Sequence, residues 1–329
     1  VKVYEKALDL YQDGHDLAAG TVVGSAPTST GETATGTLVG SVSGATGAIT
    51  YTLVGSATGN YGQILLNTDG TYTYTLTSAP KTSPNANDGP NTLSESFTYK
   101  ATDALGNSTT STIVVKIVDD LPTAAANTAS AVEGATVNIS VLNNDKFGAD
   151  GPDTSGAVIG VRAGSNTSTP AVGGLGTNIN GTYGYLTLDA AGNAVYHSNP
   201  NSVGAAGATD TFTYTIRDAD GDVSTTTITI NVTDNSLTAV VDQDVKVFEK
   251  ALDLTKGGQD LAAGTVTGSD PGNTGETATG TLVGSVTGGS GAFTYSLVGS
   301  ATGTYGQIQI NADGTYTYTL TSAPKTSPN

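Results

Sequence analysis

The sequence predicts an all-β protein made of tandem β-sandwich domains of the Ig or cadherin type, arranged as an elongated array. Three observations predict this fold class. Apolar and polar residues alternate along short segments, Gly, Asn and Asp interrupt those segments, and long stretches of the chain repeat. Alternation with period two, broken by turn residues about every eight to twelve positions, is typical of sandwich strands.

The composition agrees with this prediction. The chain has 329 residues, of which 36% are hydrophobic and 44 are Gly, and it is rich in Thr, Ser and Asn. Such residues favour strands joined by tight turns over packed helices. Disorder is excluded because the apolar residues recur in ordered alternation, which disordered chains lack. No Cys is present, so disulfides cannot brace the domains.

The segment FTYTI illustrates the alternation. Phe212, Tyr214 and Ile216 share one face of the predicted strand, whereas Thr213 and Thr215 take the other. The same pattern places a further set of side chains inward: Ile228, Ile230, Val232, Tyr72, Tyr74 and Leu76. The turns NTDG at 67–70 and NADG at 311–314 predict hairpins with Gly in the left-handed conformation.

A long internal repeat sets the predicted domain organisation. Residues 1–85 align without gaps to 245–329, and 67 of the 85 aligned positions are identical. A fainter similarity relates 96–120 to 211–235. We therefore predict three domains, at 1–120, 121–240 and 241–329. The third matches only part of the first, and we expect either a cropped segment or strands supplied by another chain.

The net negative charge indicates which kinds of molecule the chain binds. The formal net charge is −17 and the sequence pI is about 4.1. Nucleic acid is therefore not expected as a partner, anionic membrane surfaces are expected to repel the chain, and divalent cations are favoured. No apolar run approaches the roughly 18 residues of a membrane span, so no membrane insertion is expected. Because the chain begins with Val1 and contains no Met, we expect a segment of a longer protein.

The stretch IRDADGDVS at 216–224 permits two interpretations. It is a hairpin connector, since Asp tolerates turns and Gly221 supplies a positive φ. Its carboxylates are also candidate metal ligands, because crowded carboxylates repel one another unless they take up protons or bind a cation. A solvated acidic turn is the alternative to a metal site.

Topology sharpens the metal hypothesis. If a sandwich has about seven strands, the last one begins at the end where the chain enters the domain, so the preceding hairpin meets the end of the previous domain. Oxygen ligands in flexible geometry suit Ca²⁺. Extracellular modules bind this ion with dissociation constants of about 10⁻⁴–10⁻³ M. The predicted calcium ligands at this first junction are Asp119, Asp120, Asp218, Asp220, Asp222 and, on the next segment, Glu133.

Weaker candidates surround the other turns. In the first unit the corresponding turn, TDALGN, keeps only Asp103 and Asn107 as oxygen donors. Taken singly, most of the remaining acidic groups are expected to be solvated surface residues. Near the second junction the candidates are Asp234, Asn235, Asp242 and Asp244, while Glu95, Asp210, Glu5 and Glu249 stand near strand ends.

These segments resemble known families. The first and third units resemble VCBS-type repeats through YGQILLNTDGTYTY and FTYKATDALGN, and the middle unit resembles bacterial cadherin-like repeats through EGATVNISVLNND and DTFTYTIRDADGDVSTTTITINV. Such modules occur in giant RTX-type adhesins that Gram-negative bacteria export by type I secretion. The resemblance implies a surface-displayed, calcium-dependent stalk in adhesion or biofilm formation, contacting mainly neighbouring repeats of its own chain.

Catalysis, fibre assembly and glycan binding are the alternative functions. Catalysis is not expected, because the only histidines are His15 and His197 and no nucleophile, phosphate-loop or zinc motif is present. A fibre subunit that assembles with other copies by strand complementation is one alternative. A module that binds surface glycans or matrix is another, although Tyr72, Tyr74, Tyr99 and Tyr214 have the pattern of core residues.

Overall fold

The computed structural model describes residues 1–81, 91–243, 245–289 and 291–325. It confirms the all-β prediction: apart from three single-turn 3₁₀ segments, these ranges contain strands, turns and loops. The 3₁₀ segments are Glu5–Ala7, Val141–Asn144 and Glu249–Ala251. Nowhere in the described ranges does a helix have the length and apolar character needed to span a bilayer.

The first sandwich has a four-stranded and a three-stranded sheet. Its strands are β1 (Lys2–Tyr4), β2 (Thr33–Thr37), β3 (Thr50–Val54), β4 (Gly62–Leu66), β5 (Thr71–Leu76), β6 (Thr92–Thr102) and β7 (Ser108–Val118). The sheet orders are β1-β7-β6-β3 and β2-β5-β4. All pairings are antiparallel except that of β1 with β7, which is parallel.

The second sandwich has two four-stranded sheets. Its strands are β8 (Asn127–Val132), β9 (Thr136–Ser140), β10 (Val158–Ala163), β11 (Ile179–Asn180), β12 (Gly184–Leu188), β13 (Asn193–Ser198), β14 (Ala208–Arg217) and β15 (Val223–Thr233). The sheet orders are β10-β14-β15-β8 and β11-β12-β13-β9. Strands β14 and β15 form the long hairpin that carries the DADGD stretch.

The remaining strands follow β15, and all but the first of them lie in the repeated copy at 245–329. They are β16 (Thr238–Ala239), β17 (Thr277–Thr281), β18 (Val286–Thr287), β19 (Gly306–Ile310) and β20 (Thr315–Leu320). The sheet orders are β16-β18 and β17-β20-β19. The chain divides into two compact units. The first comprises residues 1–131, 135–199 and 207–232, and the second comprises 132–134, 200–206 and 233–329. The predicted domain boundaries at 120 and 240 stay a prediction.

The predicted inward side chains form the cores. Phe212, Tyr214 and Ile216 are fully buried, and the other inward residues of β5 and β15 are at most 8% exposed. Thr213 and Thr215, on the opposite face, are buried too. The segment after β10 covers that face: Thr213 Oγ1 donates to the Gly164 carbonyl, and Thr215 Oγ1 accepts from the backbone N–H of Ala171.

A buried tyrosine joins the two sheets in each sandwich. The Tyr74 hydroxyl donates to Glu95 Oε2 at 2.6 Å, and the Tyr196 hydroxyl donates to Asp210 Oδ2 at 2.7 Å. The same carboxylates accept backbone N–H groups, from Asn60 and Tyr61 in one case and from 182–183 in the other. Glu95 and Asp210 are therefore fixed inside their own domains by hydrogen bonds.

Candidate metal centre

The first acidic junction begins with the parallel pairing of β1 and β7. Tyr4 lies opposite Val118 in that register, so the chain leaves both strands at the same end. The next residues are Glu5, which opens a 3₁₀ turn, and Asp119. The sheet therefore brings Glu5 and Asp119 together, although 113 positions of sequence separate them.

The β14–β15 hairpin lies at the same place, as predicted. Ligand oxygens of Asp119, Asp220 and Asp222 lie within 4.8 Å of one another. A second group, formed by Glu5, Asp119 and Asp150, meets the same limit. The two groups share Asp119, so one continuous carboxylate cluster spans the end of the first sandwich and the beginning of the second. We call these six side chains the junction cluster: Glu5, Asp119, Asp150, Asp218, Asp220 and Asp222.

The loop before β10 brings Asp150 to the hairpin. Pro152 forms an isolated β-bridge with Asp218, and the backbone N–H of Ala219 donates to the Gly151 carbonyl at 2.9 Å. The backbone N–H of Asp153 donates to the Arg217 carbonyl. These bonds fix residues 150–153 along one edge of the hairpin.

Several of these carboxylates are buried without hydrogen-bond partners. Glu5 is 0% exposed and neither of its carboxylate oxygens has a partner. Asp119 is 5% exposed and is likewise without a side-chain partner on either oxygen. One oxygen each of Asp150 and Asp218 is also buried and unpaired. Buried carboxylates are normally paired or bound to a metal, because burying an uncompensated charge is costly.

The electrostatics reflect this crowding. Burial, and then repulsion from Asp150, Asp119 and other acids, raises the pKa of Glu5 to about 10. Burial is also the largest cause that raises the pKa of Asp150 to about 7 and of Asp218 to about 8. The pKa of Asp119 is raised as well, mainly by burial. Each shift shows that the negative form is unfavourable here without a cation.

These shifts predict how the calcium-free protein responds to pH. An unfolded carboxyl has a pKa of about 4, so between pH 4 and pH 8 the native state holds more protons than the unfolded state. The free energy of unfolding is therefore expected to fall by at least about 1 kcal/mol as pH rises across this window. Carboxyl groups whose pKa is lowered in the native state, such as Asp69 and Asp189, change the free energy of unfolding only below about pH 4.

Urea unfolding of calcium-stripped protein at several pH values measures this trend. Saturating calcium is expected to flatten it, because the bound ion holds the carboxylates ionised in the native state. Stability that rises between pH 5 and pH 8 in the stripped protein would contradict the assignment of these groups.

Two predicted ligands have structural roles at the same place. Asp120 Oδ2 accepts the backbone N–H groups of Ser25 at 2.7 Å and Ala149 at 3.0 Å, and its Oδ1 accepts the Ser25 hydroxyl. Asp218 Oδ1 accepts the N–H of Gly221, whose φ of 120° confirms the tight turn. The hairpin is thus a connector, and it also directs carboxylates into the junction cluster.

The placement of Glu133 at the first junction is wrong. Strand β8 begins near the junction, where Ala124 N–H donates to Ser224 Oγ, and its six residues extend about 20 Å. Glu133 follows this strand, and its N–H donates to Thr233 at the end of β15. Its Oε2 accepts the N–H of Ser202 at 2.9 Å.

The other predicted residues do not join the junction cluster. Asp103 accepts the backbone N–H groups of Thr46, Leu105 and Asn107 and the Asn107 side-chain amide, so the two predicted donors of that turn bind each other. Asp234 lines a cavity of about 460 Å³ with Glu133, whereas Asp242 accepts the Tyr316 hydroxyl. Asp244 lies outside the described residues. Calcium binding at these positions stays a prediction.

Sequence reasoning missed Asp150 altogether and gave Glu5 only a general position near a strand end. The available signal for Asp150 was the acidic, Gly-containing stretch GADGPD at 148–153. For Glu5 it was the exact return of the EKALDL segment at 249–254, which marks a repeated feature but does not reveal the parallel strand pairing.

Comparison with known families agrees with this architecture. Residues 119–234 match the family model described as a bacterial cadherin-like domain, and residues 16–116 match the one described as a bacterial Ig domain. The chain carries Ig-like and cadherin-like bacterial domains in tandem. Such tandem domains are typical of extracellular surface proteins. The resemblance of the middle unit is confirmed; the narrower VCBS-type and RTX-adhesin assignment stays a proposal.

Solved structures with detectable similarity include cadherin ectodomains. Domains 3–6 of protocadherin gammaB7 are 13% identical, with 99% of this chain and 64% of that chain covered and a TM-score of 0.28. The human desmocollin-1 ectodomain is 15% identical, with 72% and 36% covered and a TM-score of 0.23. The chain spans between 36% and 65% of the length of these cadherin ectodomains. No curated protein sequence matches the chain.

Proposed function

We propose that this chain is a spacer segment of a large secreted bacterial surface protein that acts in adhesion or in the extracellular matrix. Calcium would bind at the junction cluster and hold the first and second sandwiches in a fixed orientation. The observation that carries the proposal is the set of buried carboxylate oxygens without partners on Glu5 and Asp119.

The donor set suits calcium. Glu5, Asp119, Asp150, Asp220 and Asp222 supply carboxylate oxygens, and Asp218 has one further buried oxygen without a partner. Ca²⁺ takes six to eight oxygen ligands in flexible geometry, whereas Mg²⁺ demands a near-ideal octahedron and keeps its waters. The two three-residue groups share Asp119, so two bound cations bridged by that carboxylate would offset most of the negative charge.

The cluster also explains why a cation would act mechanically. Its ligands come from the 3₁₀ turn after β1, the residues after β7, the loop before β10 and the β14–β15 hairpin. The first two belong to one sandwich and the last two to the next. A cation bound to all of them would tie the sandwiches together, and its removal would leave mutually repelling carboxylates at the contact.

The proposed role is not catalytic. His15 is exposed, and His197 stacks on Tyr185 with ring centroids 4.7 Å apart while its Nδ1 lies 3.0 Å from Thr136 Oγ1. Both histidines therefore have surface or packing environments. The tandem-domain organisation supports a spacer. The region that binds a ligand would then lie elsewhere in the full-length protein.

Small-angle X-ray scattering tests the mechanical role. With calcium we expect a distance distribution with a sharper and more extended maximum, because the first two sandwiches hold one orientation. Calcium-stripped protein should scatter as a broader ensemble, and the Glu5→Gln variant should resemble it even with calcium present. Identical curves with and without calcium, in protein shown by calorimetry to bind it, would contradict stiffening.

A further inference from the structure

A second acidic group lies inside the first domain, apart from the junction cluster. Carboxylate oxygens of Asp13, Asp16 and Glu32 lie within 4.8 Å of one another. Asp13 and Asp16 belong to the loop after the first 3₁₀ turn, and Glu32 directly precedes β2. We call these three residues the loop cluster.

Hydrogen bonds hold the loop in place. Thr33 Oγ1 donates to Asp16 Oδ1 and contacts Thr75 Oγ1 on β5. The Gln12 side-chain amide donates to the carbonyls of Asp16, at 3.1 Å, and Leu17, at 3.0 Å. The position of Asp16 is therefore set by the sheet edge, so the cluster is a built feature of the fold.

Glu32 contributes a buried side chain to this group. The residue is 4% exposed, and its Oε2 is buried with no hydrogen-bond partner. Burial, and then repulsion from Asp16, Asp9 and Asp13, raises the pKa of Glu32 to about 7. The salt bridges found among the described residues, Arg217 with Asp153 and Lys250 with Asp270, do not involve the loop cluster. A buried carboxylate without such a partner is costly unless a cation compensates its charge.

The repeated copy shows the same arrangement in a weakened form. Glu276, the counterpart of Glu32, is 5% exposed and also has a buried Oε2 without a partner. Asp260, the counterpart of Asp16, accepts Thr277 Oγ1 at 2.6 Å and the Gly257 N–H at 3.0 Å. Asp260 and Glu276 line a cavity of about 440 Å³.

The two copies differ in charge at this loop. Where the first copy has Asp13, the repeat has Gly257, and where the first has Gln12, the repeat has Lys256. The first copy therefore has one carboxylate more and one cation less. Since calcium affinity follows the number of charged ligands, this difference predicts unequal binding by two nearly identical loops.

We propose that Asp13, Asp16 and Glu32 form a calcium site within the first domain, independent of the domain junction, and that the counterpart at Asp260 and Glu276 binds calcium more weakly. The site ties the loop after the 3₁₀ turn to β2. It goes beyond the junction proposal, because no residue is shared between the two clusters.

Counting bound calcium on the full chain tests the proposal. Equilibrium dialysis with millimolar ⁴⁵Ca²⁺ compares the wild type with Glu32→Gln, which keeps the side-chain shape and removes the charge. We expect Glu32→Gln to bind one calcium ion fewer, and this loss should add to that caused by Glu5→Gln at the junction. An unchanged number of ions in Glu32→Gln would overturn the site even if Glu5→Gln still lost calcium.

Exchanging the differing residue provides a second test that does not alter a buried group. Asp13→Gly should weaken the site by about tenfold, and Gly257→Asp should strengthen the counterpart by a similar factor. Gly257 is exposed, and a Cβ built there meets its nearest atom, Asp260 Oδ2, at 3.8 Å, so an Asp is accommodated. Asp69→Asn, in an exposed hairpin, is the control with no effect expected. Equal calcium affinities in all of these variants would overturn the proposal.

Discussion

Calcium at about 10 mM is expected to raise the midpoint of thermal unfolding of the first compact unit by roughly 3–10 °C relative to calcium-stripped protein. The junction cluster buries carboxylates without partners, and binding to the native state alone stabilises it by mass action. For a dissociation constant of about 10⁻⁴–10⁻³ M, one site contributes about 1.4–2.7 kcal/mol at this concentration.

Scanning calorimetry measures the shift. Magnesium at the same concentration should give a much smaller one, since few of the fixed carboxylates can satisfy its strict octahedral geometry. Sodium chloride at matched ionic strength separates specific binding from the screening of a chain with a net charge of −17. If sodium chloride and calcium chloride raise the midpoint equally, screening alone accounts for the effect and the site is refuted.

Glu5→Gln is expected to change stability in opposite directions with and without calcium. In stripped protein at neutral pH it should increase the free energy of unfolding by about 1–3 kcal/mol, because the raised pKa of the fully buried Glu5 requires the native state to take up a proton, which Gln does not need. With calcium it should lower the stability relative to wild type, because one ligand is lost. The calcium-induced shift in midpoint should shrink by at least about half.

The repeated copy offers a matched control for this substitution. Glu249 stands in the same EKALDL segment but is exposed. Glu249→Gln should leave both the stripped stability and the calcium-induced shift of the first compact unit unchanged. Urea unfolding at fixed pH measures the stability of Glu5→Gln and of Glu249→Gln, each with and without calcium. Loss of stability in stripped Glu5→Gln would show that the buried carboxyl is stabilising and would contradict the account.

The sequence was sufficient to place the DADGD hairpin. Alternation along β14 and β15 predicts the length and direction of the last two strands, and direction alone puts Asp220 and Asp222 of the hairpin beside Asp119. Local pattern and topology agree here because antiparallel hairpins leave few alternatives.

The ligands supplied by pairing between distant segments could not be predicted in the same way. Glu5 reaches the cluster through a parallel pairing of β1 with β7, and Asp150 through a single bridge between a loop and the hairpin. Neither contact has a periodic signature. Glu133 was misplaced for a related reason: it was assigned to the junction by nearness in sequence, whereas β8 carries it to the far end of β15.

The loop cluster could not be predicted from the sequence pattern either. Differences between the two copies around residues 11–13 have the appearance of ordinary loop variation. The structure shows that one of them, Asp13 against Gly257, alters the charge beside a buried glutamate. Burial of Glu32 is not visible in the sequence, because it stands among turn residues just before β2 rather than within an alternating strand.

Titration calorimetry of calcium into the stripped full chain decides whether the junction cluster binds calcium. We predict saturable binding with a dissociation constant of about 10⁻⁴–10⁻³ M, and fewer sites in Asp119→Asn, because Asp119 belongs to both groups of the junction cluster. The absence of heat at millimolar calcium in the wild type, or identical isotherms for the wild type and Asp119→Asn, would contradict it.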